Sequence, residues 1–563
     1  MHIERVPNRN SHPTVLLRES YRENGKVKKR TLGNLTGQPE ETIEALRVVL
    51  KGGRMMPMTS ALTIEASLPH GHVAAVAGVM KSLGLKRLLG TKQTRYRDLV
   101  LALIAQRVLQ PASKLASHRL FNTTTLGQEF GVDDANKEEL YKALDWLGAQ
   151  QERIENRLVK QHLQDGSMVL FDLTSTYLEG RQCELAEYGY SRDHRPDKLQ
   201  IEIGLLCDKE GRPLAVEVFP GHTGDPTTLT AQVNKLKARF GLKRVIVVGD
   251  RGMITQARID EDIQPAGFSW ITALRHSTIR SLAKADNWPS LFDARNFAEI
   301  TSPDFPGERL MVCRNPFLAE DQGRSRRELL AIAEQGLETI LQAVQEGSLR
   351  DCGQIGKRAD RVLRKLKIAR YFNLEIAPGR FIWSRKQAVI DQETALDGIY
   401  VVRTNLPEKE ISSADTIRQY KSLAQVESAF RDLKSSLDIR PIFHFRADRI
   451  KAHVFLCMLA YMVEREMRIK LKTLLFTDEA PLLPDDPVMP REPSPNAKEK
   501  TGTRRSPTGH ALQSFSTLLE QLATLTRNTV RAQWEPAAGK PFEMLANITP
   551  LQQEAFRLLS ISP

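Results

Sequence analysis

The stretch VIVVGDRGM at 245–253 joins a strongly β-forming run to a glycine and an aspartate. Its four β-branched residues predict a buried strand that stops at Gly249 and leaves Asp250 at its end. The stretch VLFDLTST carries Asp172 in a similar way, near the end of a strand predicted over 168–173. One such acid is more often a turn or cap residue than a catalyst. Two acids on strands that can be neighbours in one sheet indicate a site, because strand ends are where an α/β sheet presents its functional groups.

The pattern around these acids alternates between strands and helices. The stretch at 199–221 alternates polar and apolar residues on both sides of a turn and predicts an antiparallel hairpin. A helix is predicted over 224–241, with Asp225 as its cap, and FSWITAL at 268–274 predicts another strand. Further on, the sequence predicts a strand over 397–405, a helix over 414–436 and a largely buried helix over 452–469. The expected fold class is therefore α/β.

Composition favours a polyanionic partner. The chain has 563 residues, and its 81 Lys and Arg against 68 Asp and Glu give a formal charge of +13. Nucleic acid is the first candidate and an anionic membrane the second, although many soluble proteins are basic. The five cysteines form no CxxC pair, which argues against a zinc ribbon and for a reducing compartment. No apolar signal core opens the chain, and its longest apolar run, at 453–463, is shorter than the roughly 20 residues that span a bilayer. We therefore expect a cytoplasmic protein.

A third acid stands in YKSLAQVESAFRDLK at 420–434. If this stretch is one helix, Tyr420, Glu427 and Lys434 are seven residues apart and fall on one face. Arg431, four residues after Glu427, lies on that face too. A helix face that mixes acids and bases is more commonly a solvated ladder of ion pairs.

Together these segments resemble the DDE transposases of the bacterial IS4-like superfamily of insertion sequences, and most closely its IS1634-type group. The resemblance runs through most of the chain, in VPNRNSHPTVLLRESYRENGKVKKRTLGNL, PASKLA, FDLTSTYLEG, GYSRDHRPDKLQIEIGLL, VFPGHTGD, VVGDRGM, YKSLAQVESAFRDLKSSLDIRPIFH and AHVFLCMLAYMVE. It implies a ribonuclease-H-like core, which is a mixed sheet flanked by helices, with an α+β insertion. The strand order expected from the pattern is compatible with that core.

The resemblance also implies a metal site. Asp172 would bridge two Mg²⁺ (or Mn²⁺) ions, and Asp250 and Glu427 would each hold one of them. Mg²⁺ prefers hard oxygen ligands, so no His or Cys is needed. Two such ions about 3.5–4 Å apart can activate the nucleophile and stabilise the leaving oxygen of a phosphodiester. Because packed carboxylates repel one another, we expect the site without metal to be poorly ordered or partly protonated.

Four residues are expected to contact DNA. The resemblance assigns Tyr420 and Lys434 to a phosphate near the cut, while Arg251 would meet either a phosphate or a surface ion pair. The family signature has an arginine where this chain has Leu423. We expect Arg431, one turn beyond the glutamate, to take over part of that role.

Other residues are weaker candidates. For the DNA path they are His194, Arg195 and Lys198, the basic run at 357–370, the cluster Lys28–Arg30, and Trp288 or Trp383. The basic segments are equally typical of solvated surface, and a lone tryptophan more often packs in a core than stacks on a flipped base. His222 and Asp225 are expected to serve a turn and a helix cap.

Composition and periodicity divide the chain into seven predicted segments. They are a small N-terminal β element (1–60) with a hairpin at Asn24-Gly25, a helical DNA-binding domain in the N-terminal region (61–165), the first part of the ribonuclease-H-like core (166–284), the α+β insertion (285–395), the second part of the core (396–475), a proline-rich flexible linker (476–510) and a C-terminal tail (511–563).

The predicted function is that of a metal-dependent DNA transposase. It would bind the terminal inverted repeats of an insertion sequence and move it by a cut-and-paste route. The expected partners are double-stranded DNA, as transposon ends and target, and further copies in a homodimer or higher assembly on DNA. Membrane is not expected, nor is ATP, since GxxxxGK[ST] is missing. The expected location is the bacterial cytoplasm, at the nucleoid.

Two alternatives remain open from the sequence. One is a catalytically inactive DNA-binding protein that retains the transposase fold. The other is a metal-dependent phosphatase of another α/β class. Such a phosphatase would normally carry a second acid two residues after the first, where this chain has Thr174.

Overall fold

The computed structural model describes residues 1–9, 11–53, 62–180, 182–285, 288, 292, 295–533 and 540–563. The chain divides into two compact units. Unit 1 combines Met1–Leu68 with Thr526–Asn547, and unit 2 combines Pro69–Leu525 with Ile548–Pro563.

Strands occur in both units. They are β1 (His2–Val6), β2 (Thr14–Glu23), β3 (Lys26–Asn34), β4 (Leu62–Pro69), β5 (Ser167–Tyr177), β6 (Gln200–Asp208), β7 (Pro213–Pro220), β8 (Val245–Val248), β9 (Ser269–Ala273), β10 (Phe297–Ile300), β11 (Arg309–Arg314), β12 (Phe372–Ala377), β13 (Arg380–Arg385), β14 (Ile399–Thr404), β15 (Thr526–Ala532) and β16 (Phe542–Leu545).

Most helices belong to unit 2. The helices are α1 (Glu40–Leu50), α2 (Gly71–Ser82), α3 (Leu85–Leu89), α4 (Arg95–Leu109), α5 (Lys114–Leu120), α6 (Leu126–Phe130), α7 (Lys137–His162), α8 (Asp225–Asn234), α9 (His276–Ala285), α10 (Pro316–Gln345), α11 (Cys352–Lys365), α12 (Gln387–Ala395), α13 (Ser413–Lys421), α14 (Ala424–Lys434), α15 (Ala447–Leu471), α16 (Pro495–Thr503), α17 (Phe515–Ala523) and α18 (Pro550–Leu559). Short helical turns follow α8 at Lys235–Arg239 and lie between Gln256 and Ala266, at Ala369–Tyr371 and at Lys472–Leu474.

Unit 1 contains two small sheets. In the first, ordered β1-β2-β3, the turn residues Asn24 and Gly25 have φ of 49° and 77°, the left-handed backbone that the Asn-Gly signal predicts. The basic cluster on β3 is ion-paired, with Lys28 on Glu23, Lys29 on Glu4 and Arg30 on Glu19. The second sheet is ordered β16-β15-β4. The segment 511–563 is therefore more than a tail, because it supplies two strands to the unit that contains the N-terminus.

The central sheet of unit 2 has the order β10-β11-β14-β9-β8-β5-β6-β7. The pairs β5–β8 and β8–β9 are parallel. The remaining pairs are antiparallel, including the predicted hairpin of β6 and β7. Strand β6 is buried at every position, as expected for a strand that is covered on both faces.

Helix α15 organises the helical layer. It is buried without interruption from Ala452 to Glu464 and packs against α4, α7 and strand β7. The helices of 61–165, predicted as a domain of their own, therefore lie in the same compact unit as the sheet. Their role in DNA binding stays a prediction.

The predicted insertion at 285–395 has two different parts. Strands β10 and β11 extend the central sheet beside β14. Helices α10, α11 and α12 and the hairpin β12–β13 instead bury a separate apolar cluster, which includes Leu337, Ala359 and Phe381. The sequence boundary at 285 was thus wrong for the two strands, whose apolar residues belong to the sheet.

Two further expectations are corrected. The predicted single helix over 414–436 is divided into α13 and α14 at Ser422 and Leu423. The segment 476–510, predicted as a flexible linker, is folded. It contains α16, and the buried amine of Lys500 donates to the carbonyl of Lys472 at 3.0 Å. Asp478 accepts from the hydroxyl and the N–H of Ser494, at 2.7 and 2.8 Å, which closes the proline-rich stretch.

Among the helices that the structure describes, none is both long enough and apolar enough to cross a membrane.

The buried course of α15 gives a stability prediction. Phe455 is 0% exposed, whereas Ile469 on the same helix is 43% exposed. We expect Phe455→Ala to lower the free energy of unfolding by about 3–5 kcal/mol, because it leaves a cavity. Ile469→Ala is the matched control and should change it by about 0.5 kcal/mol or less. Urea denaturation measures both, and equal losses in the two variants would contradict this packing.

Candidate active site

The two aspartates owe their placement to the register of one parallel strand pair. In the pairing of β5 with β8, Leu170 lies opposite Val248. Asp172 and Asp250 each stand two residues further on, so both emerge at the same edge of the pair. Asp172 is not at the end of its strand, as the sequence indicated, because β5 continues to Tyr177 in its pairing with β6.

The backbone turns sharply after β8 and fixes Asp250. The carbonyl of Asp250 accepts the N–H groups of Met253 and Ile254 at 3.0 and 2.9 Å. A Cβ atom on Gly249 would lie 2.9 Å from the Cδ1 atom of Ile254. Close packing of Ile254 therefore explains the glycine at this position.

Glu427 reaches the same region from α14. This helix packs against β5 and buries Val426, Ala429, Phe430 and Leu433. The side chain of Glu427 is exposed at the edge of that buried face. Glu427 on the helix therefore lies near Asp172 and Asp250 of the sheet.

One cavity of about 310 Å³ collects these acids. It is lined by Asp172, Leu173, Thr174, Arg192, Asp225, Asp250, Met253, Glu427 and Phe430. The structure therefore brings the three predicted carboxylates together. The lining that the structure describes does not include the four predicted DNA contacts, Tyr420, Lys434, Arg431 and Arg251.

Arg192 is the functional candidate that sequence reasoning missed. Its guanidinium donates to Glu202 Oε2 at 2.7 Å and to both carboxylate oxygens of Asp225 at 3.1 Å. Its backbone N–H donates to the hydroxyl of Ser175 on β5 at 2.7 Å. The predicted cap role of Asp225 is wrong, because Gly224 holds the N-cap position of α8 and the carboxylate faces Arg192. Only the basic residues of SRDHRPDKLQ could have pointed to this arginine.

The charges around the cavity are unbalanced. Burial, with repulsion from Glu427 and Asp250, raises the pKa of Asp172 to about 7 against the opposing backbone N–H of Leu173. Burial also raises the pKa of Glu202 to about 7, although the guanidinium of Arg192 opposes it. A proton or a cation in the cavity would relieve this repulsion.

Tyr420 and Lys434 lie beside the cavity and are only partly exposed. Burial and the nearby Asp250 raise the pKa of Tyr420 to about 12, so the phenol stays protonated at neutral pH. The amine of Lys434 donates to Asp193 Oδ1 at 2.9 Å, and burial lowers the pKa of Lys434. Asp193 also pairs with Arg440 at 3.0 Å. Lys434 is therefore held by a carboxylate in this structure.

A buried leucine occupies the position of the family arginine. Leu423 is 8% exposed and packs inward where α14 begins. Arg431, the predicted substitute, is exposed on α14. Arg251 is exposed too, and it makes no ion pair with any residue that the structure describes.

Most of the weaker candidates have local partners. Arg195 pairs with Asp197 at 3.0 Å, Lys198 with Glu179 at 2.7 Å, and His222 with Glu187. Trp288 is buried in an apolar cluster, and Trp383 packs edge-to-face on Phe372 at 6.0 Å, so both follow the core-packing alternative. Helix α11 buries Ile355, Ala359 and Leu363, and its opposite face exposes Lys357, Arg358, Arg361 and Lys365.

The donor chemistry of the cavity fits a hard divalent cation. Four carboxylates line it, and the lone guanidinium is already paired with one of them. Carboxylate oxygens are the ligands that Mg²⁺ prefers. Within the described ranges, no group of three or more His, Cys, Asp or Glu side chains has a ready metal-binding geometry. The fit is therefore one of chemistry and charge.

Comparison with known proteins identifies the class. Residues 164–463 match the transposase DDE domain, and residues 3–55 match the IS1634 family transposase N-terminal domain. No curated protein sequence matches the chain. Among solved structures, the chain resembles a piggyBac transposase in a synaptic complex with hairpin DNA. That likeness has 9% identity and a TM-score of 0.35 over 80% of this chain and 76% of the other.

The first match covers more than half of the chain, and it places the protein among the DDE transposases. Within that class, the chain belongs to the IS1634 family. The protein is thus a DNA transposase, and its DDE domain implies polynucleotidyl transfer or nuclease chemistry, which in this class generally uses divalent metal ions.

The raised pKa of Asp172 predicts that the acidic cavity lowers the stability of the folded protein in a pH-dependent way. The folded protein binds this proton more tightly than the unfolded chain, so metal-free stability should fall as pH rises from about 4 to about 7. We expect Asp172→Asn to reduce that fall and to be more stable than wild type at pH 8, but not at pH 4. Urea denaturation in EDTA measures this.

Asp165→Asn is the matched control. The N–H groups of Lys243 and Arg244 lower the pKa of Asp165, so its charge is favourable and the variant should gain no stability at pH 8. Equal behaviour of the two variants would contradict the unbalanced charge at Asp172.

Proposed function

We propose that this protein is an active transposase whose chemistry takes place at Asp172, Asp250 and Glu427. It binds the terminal inverted repeats of its insertion sequence, cuts the DNA strands and joins the ends to target DNA by a cut-and-paste route. Paired-end chemistry calls for a homodimer or a higher assembly on DNA, and no step calls for ATP. The observation that carries the proposal is the matched register of the two aspartates beside Glu427 in one cavity.

The sheet supports a ribonuclease-H-like core. On one side of β5 lie β6 and β7, in antiparallel order, and on the other side lie β8 and β9, in parallel order. The mixed sheet matches the core that the sequence resemblance implies. The antiparallel hairpin also argues against the all-parallel sheet of the phosphatase alternative.

Asp172, Asp250 and Glu427 would together hold two Mg²⁺ or Mn²⁺ ions. Bound there, the ions would activate an attacking oxygen and stabilise the leaving oxygen of a phosphodiester. The chain itself supplies fixed positions, because β5 and β8 hold two of the acids on a rigid sheet. Tyr420, Lys434 and the exposed Arg251 lie beside this site and would contact DNA phosphates.

Arg192 would act as a positioning residue. It holds Asp225 at the cavity and Glu202 behind it through three hydrogen bonds. A bidentate guanidinium fixes a carboxylate more firmly than a single amine can. The orientation of the Asp225 carboxylate therefore depends on the guanidinium geometry of Arg192 as well as on its charge.

The first prediction concerns the acids. We expect wild type to cut DNA that carries the ends of its element in Mg²⁺ or Mn²⁺, and Asp250→Ala to bind the same DNA without cutting it. Asp260→Ala is the control, since Asp260 is an exposed aspartate on the same stretch, held by Gln256 at 2.9 Å. It should cut like wild type. A gel cleavage assay with a parallel binding titration measures both steps.

Two outcomes would change the proposal. Cutting by Asp250→Ala at the wild-type rate would remove Asp250 from the site. Specific binding to the ends without cutting by wild type, in either metal, would favour the catalytically inactive DNA-binding alternative, which the buried Leu423 supports.

The second prediction compares Arg192 with Arg431, the two candidates to replace the family arginine. We expect Arg192→Lys to slow single-turnover cleavage at saturating DNA by about 10²-fold, as the loss of a positioned donor does, with DNA affinity within about twofold of wild type. Arg431→Lys and Arg431→Ala should cut at the wild-type rate. Loss of cleavage or DNA binding in Arg431→Ala, with Arg192→Lys unaffected, would assign the role to Arg431.

A further inference from the structure

A second cavity lies in unit 2 outside the acidic site. Its volume is about 230 Å³, below the roughly 300–1,000 Å³ of small-molecule sites, so its size suits a chemical group better than a whole ligand. It is lined by Arg107, Pro111, Ala112, Ser113, Lys114, Tyr141, Asp438, Arg440, Pro441, Phe443, His444 and His453. The cationic side chains in this lining, Arg107, Lys114 and Arg440, outnumber its acids.

Lys114 is the unusual member. The residue is 3% exposed, and its amine has no hydrogen-bond acceptor and no ion-pair partner in the described part of the chain. A lysine buried without a partner costs stability, and such lysines are rare. The Lys114 side chain lines this cavity, so an acceptor for its amine can enter there.

The neighbouring charge adds to this deficit. Arg107 is buried and donates to neutral acceptors, the carbonyls of Ala112 at 3.0 Å, Asp438 at 3.3 Å and Leu437 at 3.4 Å. Its positive charge is therefore not cancelled by a carboxylate there. Among the lining residues, Asp438 is the single acid.

The acids just outside the lining are already used. Asp145 pairs with Arg449 at 2.8 Å. Asp193 pairs with both Arg440 and Lys434. The described surroundings thus leave an excess of positive charge at the cavity.

Electrostatics at the cavity agree with this account. Burial, followed by repulsion from Arg107, lowers the pKa of Lys114 to about 7. Burial, followed by repulsion from Lys114, Arg449 and Arg107, lowers the pKa of His444 to about 4. A bound anion would oppose both shifts, because it stabilises the protonated amine.

Exposed aromatic rings stand at the same segment. Phe443 lines the cavity and is 64% exposed, and Phe445 is 66% exposed. Between them His444 is held edge-to-face against Tyr141, with ring centroids 6.1 Å apart. Basic pockets beside exposed aromatic rings are typical of proteins that bind single-stranded nucleic acid, because the bases stack on the rings.

An ion-pair relay joins this cavity to the acidic site. Arg440 lines the cavity, and its partner Asp193 also binds Lys434 of α14, the helix that carries Glu427. A DNA strand whose phosphate sits near Lys434 could therefore place a neighbouring phosphate at the basic cavity. Free phosphate would need neither the relay nor the rings.

We propose that this cavity is a DNA-backbone site, in which Lys114 and Arg107 receive one phosphate and Phe443 supports the adjacent base or sugar. The proposal rests on the proposed function, since it assigns the DNA that the acidic site would cut. It names a contact outside the metal-binding acids and outside the Tyr420–Lys434 helix stretch.

The test uses Lys114→Met, which keeps the length of the side chain and removes its charge. In EDTA, affinity for a short random-sequence duplex with a single-stranded extension should fall about five- to tenfold, and the slope of log affinity against log salt should fall by about one. The thermal midpoint should equal or exceed that of wild type, because an unpartnered buried amine is lost. A purely structural lysine would show the opposite, a lower midpoint with unchanged DNA binding.

Two further variants sharpen the result. Lys81→Met removes an exposed lysine at the end of α2 and should leave the salt slope within error of wild type. Phe443→Ser changes an exposed ring and should weaken binding to the extension more than to blunt duplex. Inorganic phosphate separates the sources of the anion. Raised thermal stability of wild type in phosphate, with no DNA effect in Lys114→Met, would assign the cavity to free phosphate and overturn the proposal.

The failure of this proposal can be told from failure of the proposed function. Wild type that binds no DNA at all would contradict both. Wild type that binds and cuts DNA, with Lys114→Met and Phe443→Ser indistinguishable from it, would overturn the backbone site alone.

Discussion

The parallel pairing of β5 with β8 is the constraint on which the rest of this transposase depends. The pairing of Leu170 with Val248 fixes Asp172 and Asp250 at equal height. Side chains alternate between the two faces of a strand, so a slip of one residue would turn one acid to the opposite face. Val247 and Val248 are both buried, so this strand is covered on both of its faces. The hairpin of β6 and β7 and the packing of α14 then enclose the edge where both acids emerge.

Two cavities in unit 2 are each lined by several charges of one sign. Such clusters lower the stability of the folded protein, because like charges repel one another. Carboxylates converge at the acidic cavity, where Asp172 is raised to a pKa of about 7. Basic side chains converge at the second cavity, where Lys114 is buried and has no partner among the residues that the structure describes. Sites that must receive opposite charge are expected to carry such costs. Asp193 binds a cation from each side, and it therefore ties the two regions into one charged surface.

Patterns of neighbouring residues in the sequence correctly predicted a hairpin and a turn, which depend on short-range interactions. The hairpin of β6 and β7 followed from strict alternation, and the turn at Asn24-Gly25 from its left-handed backbone. The break between α13 and α14 did not follow, because it arises from tight bonds such as Leu423 N–H to Tyr420 O at 3.2 Å and from burial of Leu423. The strands near the C-terminus join β4 across more than 450 residues, a pairing that no local signal encodes. Arg192 was missed because a loop residue has no periodicity to mark it.

Leu423 also explains why the guanidinium at the acidic cavity comes from a loop. An arginine at 423 would start from a buried position at the beginning of α14 and would have to extend its charge outward past packed apolar side chains. The leucine instead contributes to the core that holds α14 on the sheet. Arg192 lies in the segment that connects β5 with β6, and its bonds to Glu202 and Asp225 hold it in place. Arg192 is held between two carboxylates, so it fixes the cavity wall instead of reaching toward DNA. The chain thus places its positive charge where the acids of the sheet need an orienting partner.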